Sequence, residues 1–496
     1  MSTKRFFQAG LSAMLIAVMA LPVQAFSLRG IRDTWQSAAL SYGVLASDLG
    51  GPMNLGEEYR LNVPLLTYGF DSTFLNYFGS NGVVAVDAAF AILNAIPHVS
   101  QMSSTLAEFP TQSKLQNFTA QTLGIQDMKS TVLGIMVAQM GLANPERFVW
   151  TLRDRQVFGT PPVTNYLVIK RNFNPITLNP DSFVNGTLYT YDIREFINPT
   201  YSDAVERPVD PQATTFSSVA SVDDLNGPSA GLATALNAGE FFTGLTRDDM
   251  GGLRYLLRFN NFNVETISPG VTLVPQSALG VFGPNGGAST FLFGPGGIQF
   301  SSPWGPSGTN VATNVIVTTN TLVTTALRPG IGKVSFQKVL FDSLLYSTLS
   351  VTNIFTDTVI TNSISTNQLV RRIQTVPDIL FTAADLGQVV AAGVPTPILF
   401  TRSQIPNWTS FAGLNTVGGG AARPGPGVIN PGAGAAAAIT ITFSTLGPYF
   451  NNSTPFSLSE VGPGFVWGYI PNVTDQPIVF PDGTTVQDLE NRVLGR

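Results

Sequence analysis

The chain has 496 residues, of which 44% are hydrophobic and only 11% charged, enough for a large core and two domains. Its 26 Lys and Arg against 31 Asp and Glu leave a net charge of −5, which argues against nucleic acid, whose phosphates call for a basic face. With no cysteine it has no disulfide, thiolate zinc site, iron–sulfur cluster or thiol nucleophile.

The first 25 residues read as a secretory signal peptide. Lys4 and Arg5 form a positive start, Ala9 to Leu21 a short apolar run, and Val23-Gln24-Ala25 a small-x-small cleavage site. Without Lys4 and Arg5, the mature chain from near Phe26 carries 24 basic against 31 acidic residues, net −7. The expected destination is secreted: periplasmic, cell-surface or extracellular after cleavage near Ala25, with no transmembrane span left.

Residues 28–48 carry Leu28, Ile31, Trp35 and Ala39 at helical spacing. Tyr59 to Tyr68 reads as a strand with Pro64 at an edge position. Asp71 is placed to cap a short turn, and Ser80 or Asn81 to cap a helix reaching about Ile96, ended by Pro97. Residues 99–122 read as further helix and loop, broken at Pro110. The stretch 127–144 lacks charge from Ser130 onward, and Met128, Val132, Met136 and Met140 recur every fourth residue. A helix apolar on nearly every side is a buried one, so 127–144 is the expected core helix. Gly141 and Asn144-Pro145 supply its stop.

From Phe148 the period changes. FVWTLRDRQVF, TNYLVIKRNF and TLYTYDIREF are β-branched, aromatic and partly alternating, which predicts a three-strand meander. Residues 200–222 read as loop, and 224–237 as a weak helix. At 245–258, Thr246 with Asp249 forms a capping box, Leu245 and Met250 a hydrophobic staple, and Met250, Leu253, Leu256 and Leu257 a buried face. Asp248 and Asp249 lie at its positive dipole end, Arg254 and Arg258 toward the other.

After residue 260 the composition shifts: 38 of the 57 charges precede it and 19 follow. No charge lies between Thr266 and Leu327. FGPNGG at 282–287 and FGPGG at 293–297 read as successive β-turns. The Thr/Asn/Val tracts at 309–325 and 351–369 alternate as long strands with one polar face. Residues 418–438 are Gly/Ala/Pro-rich and linker-like, and ITITFSTL and GFVWGYI read as β segments. The expected fold is α+β: a helical/β domain over 26–260, then a β-rich region over 261–496, sandwich-like or extended.

The chemistry is sparse. The single histidine, His98, follows Pro97 in a loop and reads as structural or incidental; a His-based metal site or Ser-His-Asp triad needs more partners. No nucleophile elbow, Walker loop or dinucleotide fingerprint occurs. Paired carboxylates need no fixed spacing for glycosidase chemistry. Glu57-Glu58, Asp223-Asp224 and Asp248-Asp249 are adjacent candidates, read more simply as a solvated strand start, a loop and a helix N-terminus. No 12-residue calcium loop is visible. Sequons at Asn117, Asn185, Asn407, Asn451, Asn452 and Asn472 are expected by chance in such a composition. No cofactor, metal or catalytic residue is therefore assigned.

Three segments together resemble the matrixins, zinc proteases of the metzincin type. Tyr59-Arg60-Leu61 followed by AVDAAFAILNAI at 85–96 is similar to the first strand and helix of that fold, and LTRDDMGGLRYLL at 245–257 to its last helix. GIMVAQMGLAN at 134–144 keeps the Gly-Leu of the zinc helix. The resemblance places the three ligand positions on Gly134, Ala138 and Asn144 and the general base on Ile135, none of which can bind zinc or polarise water. It implies a degenerate, non-enzymatic relative. The expected function is thus an exported non-catalytic structural or adhesive protein of the surface or matrix, with self-association or cell-surface components as partners. The alternatives are a secreted carboxylate-dependent hydrolase acting on polysaccharide or peptide, and a degenerate metalloprotease-like binding protein.

Overall fold

The computed structural model describes residues 25–31, 35–36, 49–197, 200–222, 236–267, 270–274, 321–342, 347–348, 350–361, 364–375, 377–381, 402–404, 441–443, 466–470 and 478–480. These residues mix helix and strand, with strands more numerous than helices. The expectations for the signal peptide up to Gln24, for 37–48, for 224–235, for both FGP turns, for 309–320, for 418–438 and for the sequons at Asn407, Asn451, Asn452 and Asn472 lie outside them.

In chain order the main elements begin with strand β1, Leu65–Phe70, and helix α1, Ser72–Ala95. Helices α2, Phe118–Thr122, and α3, Met128–Gln139, follow. Then come β2, Thr151–Phe158, β3, Val163–Ile169, β4, Thr187–Ile197, and β5, Thr200–Pro208. Helix α4 spans Arg247–Leu257. The later strands are β6, Ser335–Lys338, β7, Val351–Thr361, β8, Ile364–Gln374, β9, Ile379–Phe381, and β10, Val466–Tyr469.

β1 is the middle strand of a three-stranded parallel sheet, with β6 on one side and β9 on the other. That position explains its nearly continuous apolar run, since a central parallel strand is covered on both faces. The strand expected over 59–68 starts only after Pro64, which lacks an N–H for the ladder; its carbonyl accepts from Ser335 N at 3.0 Å. α1 covers one face. The Tyr68 ring stacks on Phe90 at 3.8 Å, and its hydroxyl donates to Asp87 Oδ1 at 2.9 Å. Phe70, Phe74, Phe336 and Phe381 complete an aromatic core. α1 is long and apolar enough by length and composition to cross a membrane. Asp71 caps it through Phe74 N, and Gly79 breaks it at φ 59°, ψ −156°. That break separates the short turn and longer helix expected from the sequence.

α3 is the buried helix, with every residue but Thr131 buried. It ends at Gln139, five residues before the expected limit. Gly141 turns the chain at φ +115°, where an added Cβ would sit 2.2 Å from the Tyr59 carbonyl oxygen. Leu142 and Ala143 then pair with Leu28 and Ser27. The latter strand, with Gly30–Ile31, replaces the start of the helix expected from 28; pairing with the chain leaving α3 outweighs the helical spacing. At its N-terminus α3 is capped by Asp127, and the Lys129 ammonium donates to the Phe242 and Ile470 carbonyls. β10 lies parallel to Ile125–Asp127 beside this end. Strands from beyond residue 260 therefore complete the sheets around β1 and α3.

The expected meander is two hairpins. β2 pairs with β3, while β4 pairs with β5, a strand in a segment read as loop. The 351–369 tract likewise folds back on itself: β7 and β8 pair from Val351–Gln374 through Thr361–Ile364.

Candidate functional site: a buried carboxylate cluster where α4 begins

The capping box is present, and it does more than cap. Asp249 Oδ2 accepts from Thr246 N at 2.8 Å and Thr246 Oγ1 at 2.6 Å. The same carboxylate accepts from Val219 N at 3.0 Å, Ala220 N at 2.9 Å and Ser218 Oγ at 2.5 Å. It thereby fastens the 218–222 turn to α4, while Val222 fills the notch over Gly134 on α3, where a Cβ would lie 2.5 Å from the Val222 Cβ. A local helix signal is thus also a long-range clasp between α3 and α4.

Asp248, its neighbour, accepts from Asn185 N at 2.6 Å, and its Oδ1 has no hydrogen-bond partner. Asn185 adopts φ 44°, and its amide reaches Ser217 Oγ and Thr246 Oγ1, both at 3.2 Å. Burial pushes the Asp248 carboxyl well above its ordinary range; the Asn185 and Ala25 N–H groups oppose this, and the Asp249 and Glu146 charges add to it.

Glu146 is the third member. Its carboxylate accepts from Phe216 N, and from Ser217 N at 2.7 Å. Burial, with no cation in direct contact, pushes it up to about 7. The next residue behaves oppositely: Arg147 Nη2 donates to Asp203 Oδ1 of β5 at 2.8 Å, both side chains being buried. The cluster therefore joins four segments: the exit of α3, the turn before β4, the 216–222 turn and the start of α4.

A crevice beside it, lined by Phe26, Leu142, Ala143, Pro145, Asp248 and Asp249, holds about 140 Å³ of empty space, none of it wide enough for a water molecule. Asp249 is fully engaged with donors. These hydrogen bonds fix the loops around the start of α4.

Of the other adjacent pairs, Asp223-Asp224 lies outside the described residues. Glu58 is not solvated but fully buried, accepting from Gly56 N at 2.5 Å and Asn261 Nδ2 at 3.0 Å. Burial raises its carboxyl pKa, with those hydrogen bonds opposing. The strand start expected there is a turn that needs an acceptor.

Gly134, Ile135 and Ala138 all lie within α3 and are packed. Asn144 Oδ1 accepts from Glu146 N at 3.0 Å and Arg147 N at 3.1 Å, starting the next turn. Among the described residues no group of three or more His, Asp or Glu is placed to hold a metal. His98 caps a 3-10 turn, its Nδ1 2.7 Å from Ser100 Oγ and its ring against Phe259 at 5.5 Å. Asn117 is buried and its Oδ1 caps α2, while the Asn185 amide donates within the cluster.

Sequence reasoning singled out Asp248 and Asp249, met Asn185 only as a sequon and turn residue, and missed Glu146 and Ser218. The Asn185-Gly186 pair, a composition suited to positive φ, was the one local sign that this turn is specially shaped. No family model, curated protein or solved structure matches the chain.

Proposed function

We propose that this is an exported, non-catalytic structural or adhesive protein of the cell surface or matrix. In this reading residues 26–260 carry the helices and 261–496 form a sandwich-like or extended β region. The observation that supports it most is the use of the acidic side chains around α4: each grips backbone or hydroxyl donors of a distant segment, beside a crevice too narrow for water. Long Thr- and Asn-rich strands with little charge favour contact with other chains. The test is to assay mature protein on polysaccharide and peptide panels alongside Asp248→Asn and Asp249→Asn, and to measure its binding to cells and glycans and its assembly state. Surface binding or self-assembly with no turnover is expected. Turnover abolished by either substitution would instead establish the carboxylate-dependent hydrolase.

A degenerate metalloprotease-like binding protein is the second reading. It is favoured by the direct packing of α4 on the exit of α3, where Gly252 faces Leu142 and Gly141 faces Leu256. Binding of an extended peptide across this seam, lost when Gly252 is enlarged, would support it.

A further inference from the structure

The segment at the expected cleavage point is buried. Ala25, Phe26, Ser27 and Leu28 are at most 2% exposed, whereas chain ends ordinarily lie at the surface. Phe26 exchanges backbone hydrogen bonds with Phe173, its N donating at 3.0 Å and its carbonyl accepting at 2.8 Å. Its side chain rests on α4: a Cβ on Gly252 would lie 3.1 Å from the Phe26 Cβ, and the Tyr255 ring is 5.4 Å from the Phe26 ring. Asp248, Gly252 and Tyr255 stand at i, i+4 and i+7, on one face of that helix. Ala25, one residue before Phe26, falls one turn back on the same face, and its N–H faces the Asp248 carboxylate.

That carboxylate belongs to a cluster of one sign. Glu146, Asp248 and Asp249 are buried, and among the described residues the groups that bind them are uncharged N–H and O–H donors. Arg147 is committed to Asp203 at 2.8 Å and Glu206 at 3.7 Å, and Lys114 to Glu240 at 3.5 Å. Asp248 Oδ1, fully buried, has no hydrogen-bond partner.

We infer that the counter-ion of this cluster is the chain's own α-ammonium, created when the signal peptide is removed beside Ala25, and that it docks on Asp248 to lock the exit of α3 to the start of α4. This rests on the exported reading and adds to it a maturation step. Hydrolysis of the peptide bond leaves a carboxylate on the leader and an ammonium on the mature chain. Cleavage before Ala25 turns the nitrogen that already faces Asp248 into that ammonium. Cleavage after Ala25 places it on Phe26, one residue or about 4 Å along. There it keeps the Phe173 carbonyl and has two more N–H groups to turn toward Asp248. An uncleaved chain offers the same carboxylate only a neutral amide, and a charge-assisted bond in a dry site is the stronger of the two. The fold therefore tightens once the leader is gone. The titratable and charged groups around this seat are Asp248, Asp249 and Tyr255 of α4, Glu146 and Arg147 beyond α3, Tyr189 of β4, Glu206 of β5 and Lys114.

The test compares mature protein beginning at Ala25 or Phe26 with the same chain carrying a short Gly/Ser extension, which replaces the ammonium by an amide and leaves every other group in place. The extension should lower the melting temperature by several degrees at neutral pH and have no effect in Asp248→Asn. The advantage of the mature chain should fade in alkali. Pairing raises the folded pKa of the α-amine above its ordinary value of about 8, so its stabilisation is present below that pH and lost as pH rises through the folded value. Should Asp248→Asn fail to fold, the α-amine of the wild type is titrated through its rate of acetylation, with a pKa above about 8 expected. Equal melting temperatures for mature and extended chains, an extension effect unchanged in Asp248→Asn, or an α-amine of ordinary pKa would each overturn the inference. N-terminal sequencing of the protein from cells separates it from the reading it rests on. A chain that retains residues 1–24 overturns both, whereas a processed chain indifferent to the extension overturns this inference alone.

Discussion

Two of the long hairpins, β2–β3 and β7–β8, are similar in form and differ in how their charges are buried. In β7–β8 the ion-paired charges are buried, Asp357 within the body of the hairpin and Arg372 near its base. Arg328 donates to both oxygens of Asp357 at 2.9–3.2 Å, and Gln368, cross-strand from Asp357, donates to the same carboxylate at 2.7 Å. Arg372 binds Asp378 at 2.6 Å, and burial pushes its guanidinium down to about 10. In β2–β3 the nearest equivalent, Arg155 with Glu195, is exposed, and the far end is apolar. A hairpin sewn down by desolvated pairs is part of the scaffold. One whose apolar residues lead away from its charges is free to meet something else.

The sharpest way to break that contrast is to remove one acid from each hairpin's pair. Asp357→Ala leaves the Arg328 guanidinium buried without its carboxylate, and should lower unfolding free energy by about 3–5 kcal/mol. Glu195→Ala loses a solvated pair and should leave the unfolding curve close to that of the wild type. Urea unfolding of the two variants checks this, and equal losses would end the distinction.

A buried acid with no cation in contact should behave differently again. Glu146 is held by N–H donors, and its folded pKa of about 7 lies above the ordinary 4.5. The folded state therefore favours the protonated acid. Its contribution to stability is full below pH 4.5 and is lost as pH rises toward 7, by about 3 kcal/mol for a difference of about 2.5 pH units. Several other buried acids, among them Glu58 and Asp248, are also raised, so wild-type stability alone does not isolate it. The wild-type minus Glu146→Gln difference in melting temperature does. It should change across pH 4.5–7 and stay flat above; a flat difference throughout would mean that the backbone donors, not burial, govern this acid.

What the sequence disclosed follows from how local each signal is. The α4 cap was legible because Thr246 and Asp249 are three residues apart and act on one turn. The burial of α3 was legible because it has no polar stripe, but its end was not, since Gly141 is shaped by Tyr59, which approaches from 82 positions earlier. β5 was read as loop because TYSDAVERP carries three charges, and nothing local shows that Asp203 is buried against Arg147, 56 positions earlier. The fold-back within 351–369 was missed because Asn362-Ser363 carries no Gly or Pro. Glu58 and Glu146 offered no sign of burial: the side chain of Asn261 and the backbone of Ser217, which bind them, lie far along the chain. The cluster at α4 thus showed only its two adjacent members.

The smallest effect expected is also the one that gives the comparison its functional edge. Phe158 and Val163 are half or more exposed, so replacing both by Ser removes little buried surface. Exposed substitutions away from caps and cores stay within about 0.5 kcal/mol. Unfolding of the Phe158→Ser, Val163→Ser variant should therefore overlay the wild type. Leu152, buried at the base of the same strand, supplies the internal control, since Leu152→Ala should cost about 2–5 kcal/mol. If the tip substitution were as damaging as the base, the tip would be packed against the protein itself, and β2–β3 would join β7–β8 as scaffold.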